Sequence, residues 1–97
     1  MIYISGSRVI YRGSEGRSFE HDFRESINKA IEIPGLIIVS LTPEGKPLVA
    51  FNYEGKRVWE CFLPAERDSW TDINFVDGKL VGFSWSCQSC EIDINTG

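Results

Sequence analysis

The chain has 97 residues, of which 42% are hydrophobic and 25% are charged, and its formal net charge is −4. This is the length of one domain that can bury a core without disulfides, so a disordered tail, a collagen-like chain and a disulfide-dense miniprotein are excluded. The ten basic residues are scattered. Binding to nucleic acid needs a clustered basic surface, so we expect no nucleic-acid partner.

The sequence also bears on location. No apolar run approaches the ~20 residues that span a bilayer. The first residues, Met1–Ser5, lack the basic region and the long apolar region of a signal peptide. Three cysteines, an odd number, suit a reducing compartment better than a disulfide framework. We therefore expect a cytoplasmic protein with no membrane partner.

The N-terminal half predicts a hairpin and one short helix. Arg8–Arg12 and Arg17–His21 read as two strands around a glycine-containing turn. Apolar residues then recur at helical spacing, which predicts two helical turns within residues 23–32 that end before Pro34 and Gly35; they are Phe23, Ile27, Ala30 and Ile31. The apolar run Leu36–Leu41 predicts a buried strand.

The C-terminal half predicts hairpins at two acidic-glycine turns, Glu54-Gly55 and Asp77-Gly78, because glycine supplies the positive φ that tight turns need. Two-residue loops would pair Ala50 with Trp59, Phe51 with Val58, and Phe75 with Leu80. A further strand begins at Cys90, and its residues alternate between apolar and acidic side chains. Its predicted register places Val81, Phe83 and Trp85 on one apolar face with Cys90, Ile92 and Ile94.

These elements predict an all-β fold. The chain is rich in isoleucine and valine, whose branched side chains favour strands. We predict one domain over residues 1–97, with about seven or eight short antiparallel strands in consecutive hairpins and at most one short helix near residues 23–32. Because open sheet edges must be covered or paired, we also expect homodimerisation as one way to cover them.

Several segments resemble propeller-blade repeats of the pyrroloquinoline-quinone-like and WD-repeat kinds, as found in small uncharacterised bacterial proteins; the segments are Ala50–Glu60, Asp77–Leu80, Phe83–Trp85 and Glu91–Gly97. The resemblance covers about Leu36 to Gly97. It implies blade-like sheets, but a propeller needs ~4–8 four-stranded blades, and this chain supplies about two. The quinone cofactor is not implied, because its ligands come from several blades, and we expect no cofactor. Relatives usually have a polar-glycine turn where this chain has Ser86–Cys90.

The cysteines offer a candidate metal or redox site. Cys87 and Cys90 are two residues apart, and a zinc site would need Cys61 and His21 as further ligands. A redox dithiol normally lies at a helix N-terminus, whereas this pair leads from a turn into a strand. We favour Cys90 as a small core residue and Cys87 as a turn residue, and keep zinc or redox chemistry as the alternative.

Catalytic groups are less evident. His21 is the single histidine, and its neighbours Glu20 and Asp22 would raise its pKa. No nucleophile motif accompanies it, and nothing in the sequence fixes a distance between two carboxylates. We therefore predict that the protein is not an enzyme, with an unrecognised active site as a further alternative.

The aromatic residues offer the best binding candidates, because such residues are enriched at binding hot spots. Trp59 and Trp85 lie in predicted strands and are expected in the core. Trp70 lies in a polar loop over residues 64–72, where it either is exposed or covers the edge of the core. We predict a binding site at Trp70, Asp68 and Asp72. An acidic protein suits a basic partner. The hypothesis is a non-catalytic protein-binding module, for example a partner-neutralising protein of the kind that protects a cell from a secreted toxin.

Overall fold

The computed structural model describes residues 1–13, 15–42, 45–63, 68–86 and 89–97. These residues form ten antiparallel strands and contain no helix, which confirms the all-β prediction with more strands than expected. The strands are β1 (Ile2–Ser5), β2 (Arg8–Arg12), β3 (Ser18–Asp22), β4 (Ile27–Ile33), β5 (Leu36–Leu41), β6 (Leu48–Phe51), β7 (Arg57–Cys61), β8 (Trp70–Val76), β9 (Lys79–Ser84) and β10 (Ser89–Ile92).

The strands form three sheets that stack face to face. The N-terminal sheet has the order β1-β2-β3, the central sheet β4-β5-β6-β7, and the C-terminal sheet β10-β9-β8. The central sheet is buried on both faces, as its continuous apolar strands require. Val39 and Phe51 pack with the N-terminal sheet, whereas Ile38 and Ala50 pack with the C-terminal sheet. Each outer sheet therefore has one covered face and one open face.

The helix predicted within residues 23–32 is replaced by strand β4. A β-bulge between Ile27 and Lys29 interrupts its pairing with β5. The bulge adds a residue and turns Ile27 to the same side as Ala30, while Ile31 packs on the opposite side of the sheet. The three-residue spacing of Ile27 and Ala30, which is typical of a helix, thus arises here from a strand with one inserted residue.

The predicted hairpins are largely confirmed. Ala50 pairs with Trp59, and Phe75 pairs with Leu80. The predicted pairing of Phe51 with Val58 is wrong, because a bulge between Ala50 and Phe51 places Phe51 opposite Arg57. The two-residue turn at Asp77-Gly78 therefore sets the pairing beside it. At the Glu54-Gly55 turn, a bulge next to the loop changes the nearest pair and leaves the pair further along the strand as predicted.

The predicted register of the last strand is also wrong. Cys90 lies opposite Gly82 and Ile92 lies opposite Leu80, so Phe83 is on the other face, opposite Ser89. The Trp70 ring lies against Gly82 so closely that a Cβ atom there would overlap it. A side chain from β8 therefore fills the space beside Gly82 on the inner face of β9, and Phe83 points outwards.

Candidate functional site

Trp70 is part of the core and not of an exposed loop. It is the first residue of β8, it is 4% exposed, and its indole Nε1 donates a hydrogen bond to the Cys61 carbonyl oxygen at 3.1 Å. This contact connects the C-terminal sheet to the end of β7. The prediction that Trp70 offers an exposed ring to a partner is therefore wrong.

Asp68 holds together two segments at one end of the C-terminal sheet. Its Oδ1 accepts hydrogen bonds from the backbone N–H groups of Ser69 and Ser86, and its Oδ2 accepts one from the Ser86 hydroxyl at 2.7 Å. The hydrogen bond from the Ser86 hydroxyl is the main reason that the pKa of Asp68 lies below its ordinary value. The two backbone N–H donors lower the pKa further. Asp68 is buried, so it is a structural residue of the turn and not part of a solvated loop.

The lowered pKa of Asp68 predicts a contribution to acid unfolding. A carboxylate with a depressed folded-state pKa stabilises the fold above its unfolded pKa of about 4, and this stability is lost as the pH falls through the folded value. We expect the Asp68→Asn variant to be less stable than the wild type at neutral pH and to lose less stability on acidification. Urea unfolding between neutral pH and about pH 2 measures this.

The matched control for this prediction is Asp77→Asn, which lies in an exposed turn where asparagine is equally suitable. We expect it to follow the wild-type pH profile. If Asp68→Asn also loses stability in parallel with the wild type, the proposed contribution of Asp68 is wrong.

Asp72 is the one predicted binding residue that lies at the surface. Its Oδ1 accepts a hydrogen bond from Lys29 Nζ at 2.7 Å, and this contact is the main cause of the lowered pKa of Asp72. Both side chains are partly exposed, so the ion pair adds little stability. Lys29 belongs to β4, and the pair therefore marks the border between the central and C-terminal sheets.

The open face of the C-terminal sheet carries exposed apolar side chains. Strand alternation and the observed pairing place Val76, Val81 and Phe83 on this face beside Asp72 and Glu91. Phe83 is 37% exposed, and Trp85, which directly follows β9, is 76% exposed. We call these residues, with Asn74, Lys79 and Ser89, the acidic aromatic face.

Asp68 positions the tryptophan of this face. The Trp85 backbone N–H donates to the Ser69 carbonyl oxygen at 2.8 Å, and the next residue, Ser86, is held by the Asp68 carboxylate. Trp85 is not among the predicted binding residues, because its strand pattern predicts a place in the core. The signal that could have identified it is Gly82, since a glycine in a strand often marks the close approach of another group.

The net charge of the chain is concentrated in the same region. Residues 68–97 contain five acidic residues and one lysine, whereas the preceding residues contain nine acidic and nine basic ones. The excess of four negative charges therefore belongs to the C-terminal segment. A shallow depression of about 400 Å³ at the end of its sheet includes Lys79, Glu91 and Asp93 in its lining.

The described cysteines are packed between the central and C-terminal sheets. Cys61 and Cys90 are free thiols, half-buried against one apolar cluster. Burial, and secondarily the nearby Cys90, raises the pKa of Cys61, which favours the neutral thiol over a nucleophilic thiolate. Cys87 lies outside the described residues, so the predicted pair is not seen as a whole. Within the described residues, no three His, Cys, Asp or Glu side chains are grouped to hold a metal ion.

His21 is a packing residue in β3. Its ring lies 4.5 Å from the Phe23 ring and 5.3 Å from the Phe51 ring, measured between centroids. Burial is the main cause of a lowered pKa for His21, and the Arg57 charge contributes in the same direction. The predicted rise in pKa from its acidic neighbours is therefore wrong, because Asp22 only partly offsets these two effects.

The fold defines a small all-β domain with an open, partly apolar face in the segment that holds the net negative charge. The chain belongs to a family described as a domain of unknown function, DUF7957, whose model matches residues 17–97. No significant match was found among curated proteins or solved structures, so the resemblance to propeller blades stays a prediction. In the part of the chain that the structure describes, no helix is long and apolar enough to cross a membrane.

Proposed function

We propose that this protein is a non-catalytic protein-binding module that binds a positively charged partner protein through its acidic aromatic face. The observation that carries the proposal is the exposed pair Phe83 and Trp85 in the segment that holds the net negative charge. Tryptophan is enriched among the residues that dominate binding energy, and an exposed apolar patch with a polar border is typical of an interaction site.

The two kinds of side chain on this face contribute differently. Trp85 and Phe83 lose exposed apolar area when a partner covers them, which stabilises the complex and slows its dissociation. Asp72 and Glu91 are paired with Lys29 and Lys79. The attraction to a basic surface over a distance therefore comes from the net charge of residues 68–97, which accelerates association and makes it sensitive to salt. This combination of exposed apolar side chains and net negative charge supports a partner with a basic surface that includes an apolar pocket or ridge.

The surroundings of the other candidate groups support a role without catalysis. His21 lies between aromatic rings, Asp68 is bonded to the Ser86 turn, and burial raises the pKa of the Cys61 thiol. Each of these three groups thus has a packing or positioning role. The concrete form of the proposal is a neutralising protein that covers the basic surface of its partner.

Alanine in place of Trp85 tests the proposal. The wild-type protein is immobilised, proteins captured from extracts of its own cells at low salt are identified, and the affinity of the purified partner is measured. We expect Trp85→Ala to bind at least about tenfold more weakly, as truncation of a central aromatic anchor does. We also expect higher salt to weaken the binding of the wild type.

The matched control is Tyr3→Ala, which removes an exposed aromatic ring from the outer face of the N-terminal sheet. It should bind as the wild type does. Equal affinities of Trp85→Ala and the wild type, or no binding protein at low salt, would contradict the proposal.

A second copy of the chain is the alternative occupant of the face, because homodimerisation is also expected from the sequence. Two such faces would bring together two segments that each carry the net negative charge, which opposes their pairing. Light scattering at high micromolar concentration distinguishes the cases, because a monomer leaves the face open for the basic partner.

A further inference from the structure

The two described cysteines lie in the interface between the central and C-terminal sheets. Cys61 is the last residue of β7, and Cys90 is the second residue of β10. Both are free, half-buried thiols, and both pack against the buried cluster that contains Trp59 and Trp70. The proposed function uses neither thiol.

Hydrogen bonding and strand alternation place β7 opposite the end of the chain that includes β10. Trp59 Nε1 donates to the Ile94 carbonyl oxygen at 3.0 Å. Cys61 is two residues from Trp59, so both side chains are on the same face of β7. Cys90, Ile92 and Ile94 pack against the same cluster from the other side of the interface. The faces of the two strands that carry the cysteines are therefore turned towards each other.

The Trp70 indole contacts the surroundings of both thiols. Its Nε1 donates to the Cys61 carbonyl oxygen at 3.1 Å, and its ring lies on Gly82, which is the residue that pairs with Cys90. The Cys90 thiol is also near enough to raise the pKa of Cys61, after the larger effect of burial. The two thiols are thus neighbours across the interface, although they are far apart in sequence.

We propose that Cys61 and Cys90 form a reversible disulfide when the protein is exposed to a peroxide, and that this bond is a redox switch on the contact between the two sheets. The peroxide oxidises one thiol to a sulfenic acid and releases one water. The other thiol then forms the S–S bond and releases a second water. Two thiols are oxidised in total, one peroxide is reduced to two waters, and a dithiol reductant reverses the reaction. This inference does not depend on the proposed function.

The bond would have a direct effect on stability. It would close a loop that contains β8 and β9, and such a closure restricts the unfolded chain. In the reduced protein the C-terminal sheet is held on the central sheet by packing and hydrogen bonds alone. Oxidation should therefore raise the urea concentration at which the chain unfolds.

Cys87 is the competing partner of Cys90, because only two residues separate them in the sequence. Cys87 lies outside the described residues. The Cys90 side chain packs inwards on the cluster that Cys61 also contacts. This shared environment favours Cys61 as the partner.

The test is peptide mapping of the full wild-type chain after treatment with hydrogen peroxide at mildly alkaline pH, where more of each thiol is ionised. Remaining thiols are alkylated, and trypsin releases Cys61 in residues 58–67 and both other cysteines in residues 80–97. We expect mass spectrometry to show these two peptides joined within one chain, with fragment ions that place the bond at Cys90. Because a disulfide needs Cα atoms within about 7 Å, this product also tests that β7 and β10 face each other.

A peptide 80–97 that is closed on itself would show that Cys87 is the partner and would overturn the proposal. Fully alkylated thiols, or a bond only between two chains, would do the same. The digest uses the wild-type chain, so it decides the question even if a cysteine variant fails to fold.

Variants give an independent measurement. Cys87→Ser keeps the proposed pair, so peroxide should still join the two peptides and raise the urea midpoint, and dithiothreitol should reverse both effects. Cys90→Ser is the matched control and should show neither effect. Joined peptides in Cys90→Ser, or an unchanged midpoint in oxidised Cys87→Ser, would contradict the proposed switch.

Discussion

Replacement of Trp70 by alanine is expected to lower the free energy of unfolding by about 3–5 kcal/mol, the usual cost of removing a buried aromatic ring. The indole lies on Gly82 between the C-terminal and central sheets, and it is 4% exposed. Its removal leaves a cavity that Gly82, without a side chain, cannot fill. It also leaves the Cys61 carbonyl oxygen without the indole donor.

Urea unfolding followed by circular dichroism measures this effect, with Trp85→Ala as the matched control. Trp85 is 76% exposed, so its replacement should change the free energy of unfolding by no more than about 0.5 kcal/mol. From the sequence, Trp70 is predicted at the surface and Trp85 in the core, which is the opposite arrangement. A Trp85→Ala variant that is destabilised as strongly as Trp70→Ala would therefore contradict the structure.

The parts of the fold that the sequence predicts correctly are those set by neighbouring residues. The turn at Asp77-Gly78 places Phe75 opposite Leu80, and the turn at Glu54-Gly55 places Ala50 opposite Trp59. In the first hairpin the two-residue loop alone fixes the register, whereas in the second a bulge between Ala50 and Phe51 changes the pairing beside the loop. The bias towards β-branched residues similarly predicts the all-β class.

The errors arise where a strand contains an extra residue or where partners are distant in sequence. Bulges after Ile27, Ala50 and Trp70 each interrupt the two-residue alternation from which a buried face is inferred. The register of β10 depends on a longer connection, so its predicted face was reversed. This one reversal placed Trp85 in the core.

Of the candidate site, only the acidic residues could be predicted from the sequence. The acidic residues of the C-terminal segment are visible in the sequence, and Asp72 does lie on the acidic aromatic face. The aromatic partner was misassigned, because Trp70 and Trp85 differ in tertiary contacts and not in residue type.

Replacement of Phe51 by alanine is the second change with a large expected effect. The ring is buried in the central sheet, and Phe19, His21 and Phe23 of the N-terminal region pack on it at centroid distances of 5.3–5.9 Å. We expect a loss of about 3–5 kcal/mol in the free energy of unfolding. A domain of this size has a total of about 5–15 kcal/mol, so the variant would be only marginally stable.

The loss of stability in Phe51→Ala should also be uneven across the molecule. Phe51 connects the N-terminal sheet to the central sheet, whereas Ala50 and Ile38 on the opposite face pack with the C-terminal sheet. Hydrogen exchange at low temperature should therefore show the largest loss of protection in β2 and β3. Phe62→Ala is the control, because its exposed ring should contribute no more than about 0.5 kcal/mol. If Phe51→Ala were as stable as Phe62→Ala, the aromatic contacts would not be what holds the N-terminal sheet in place.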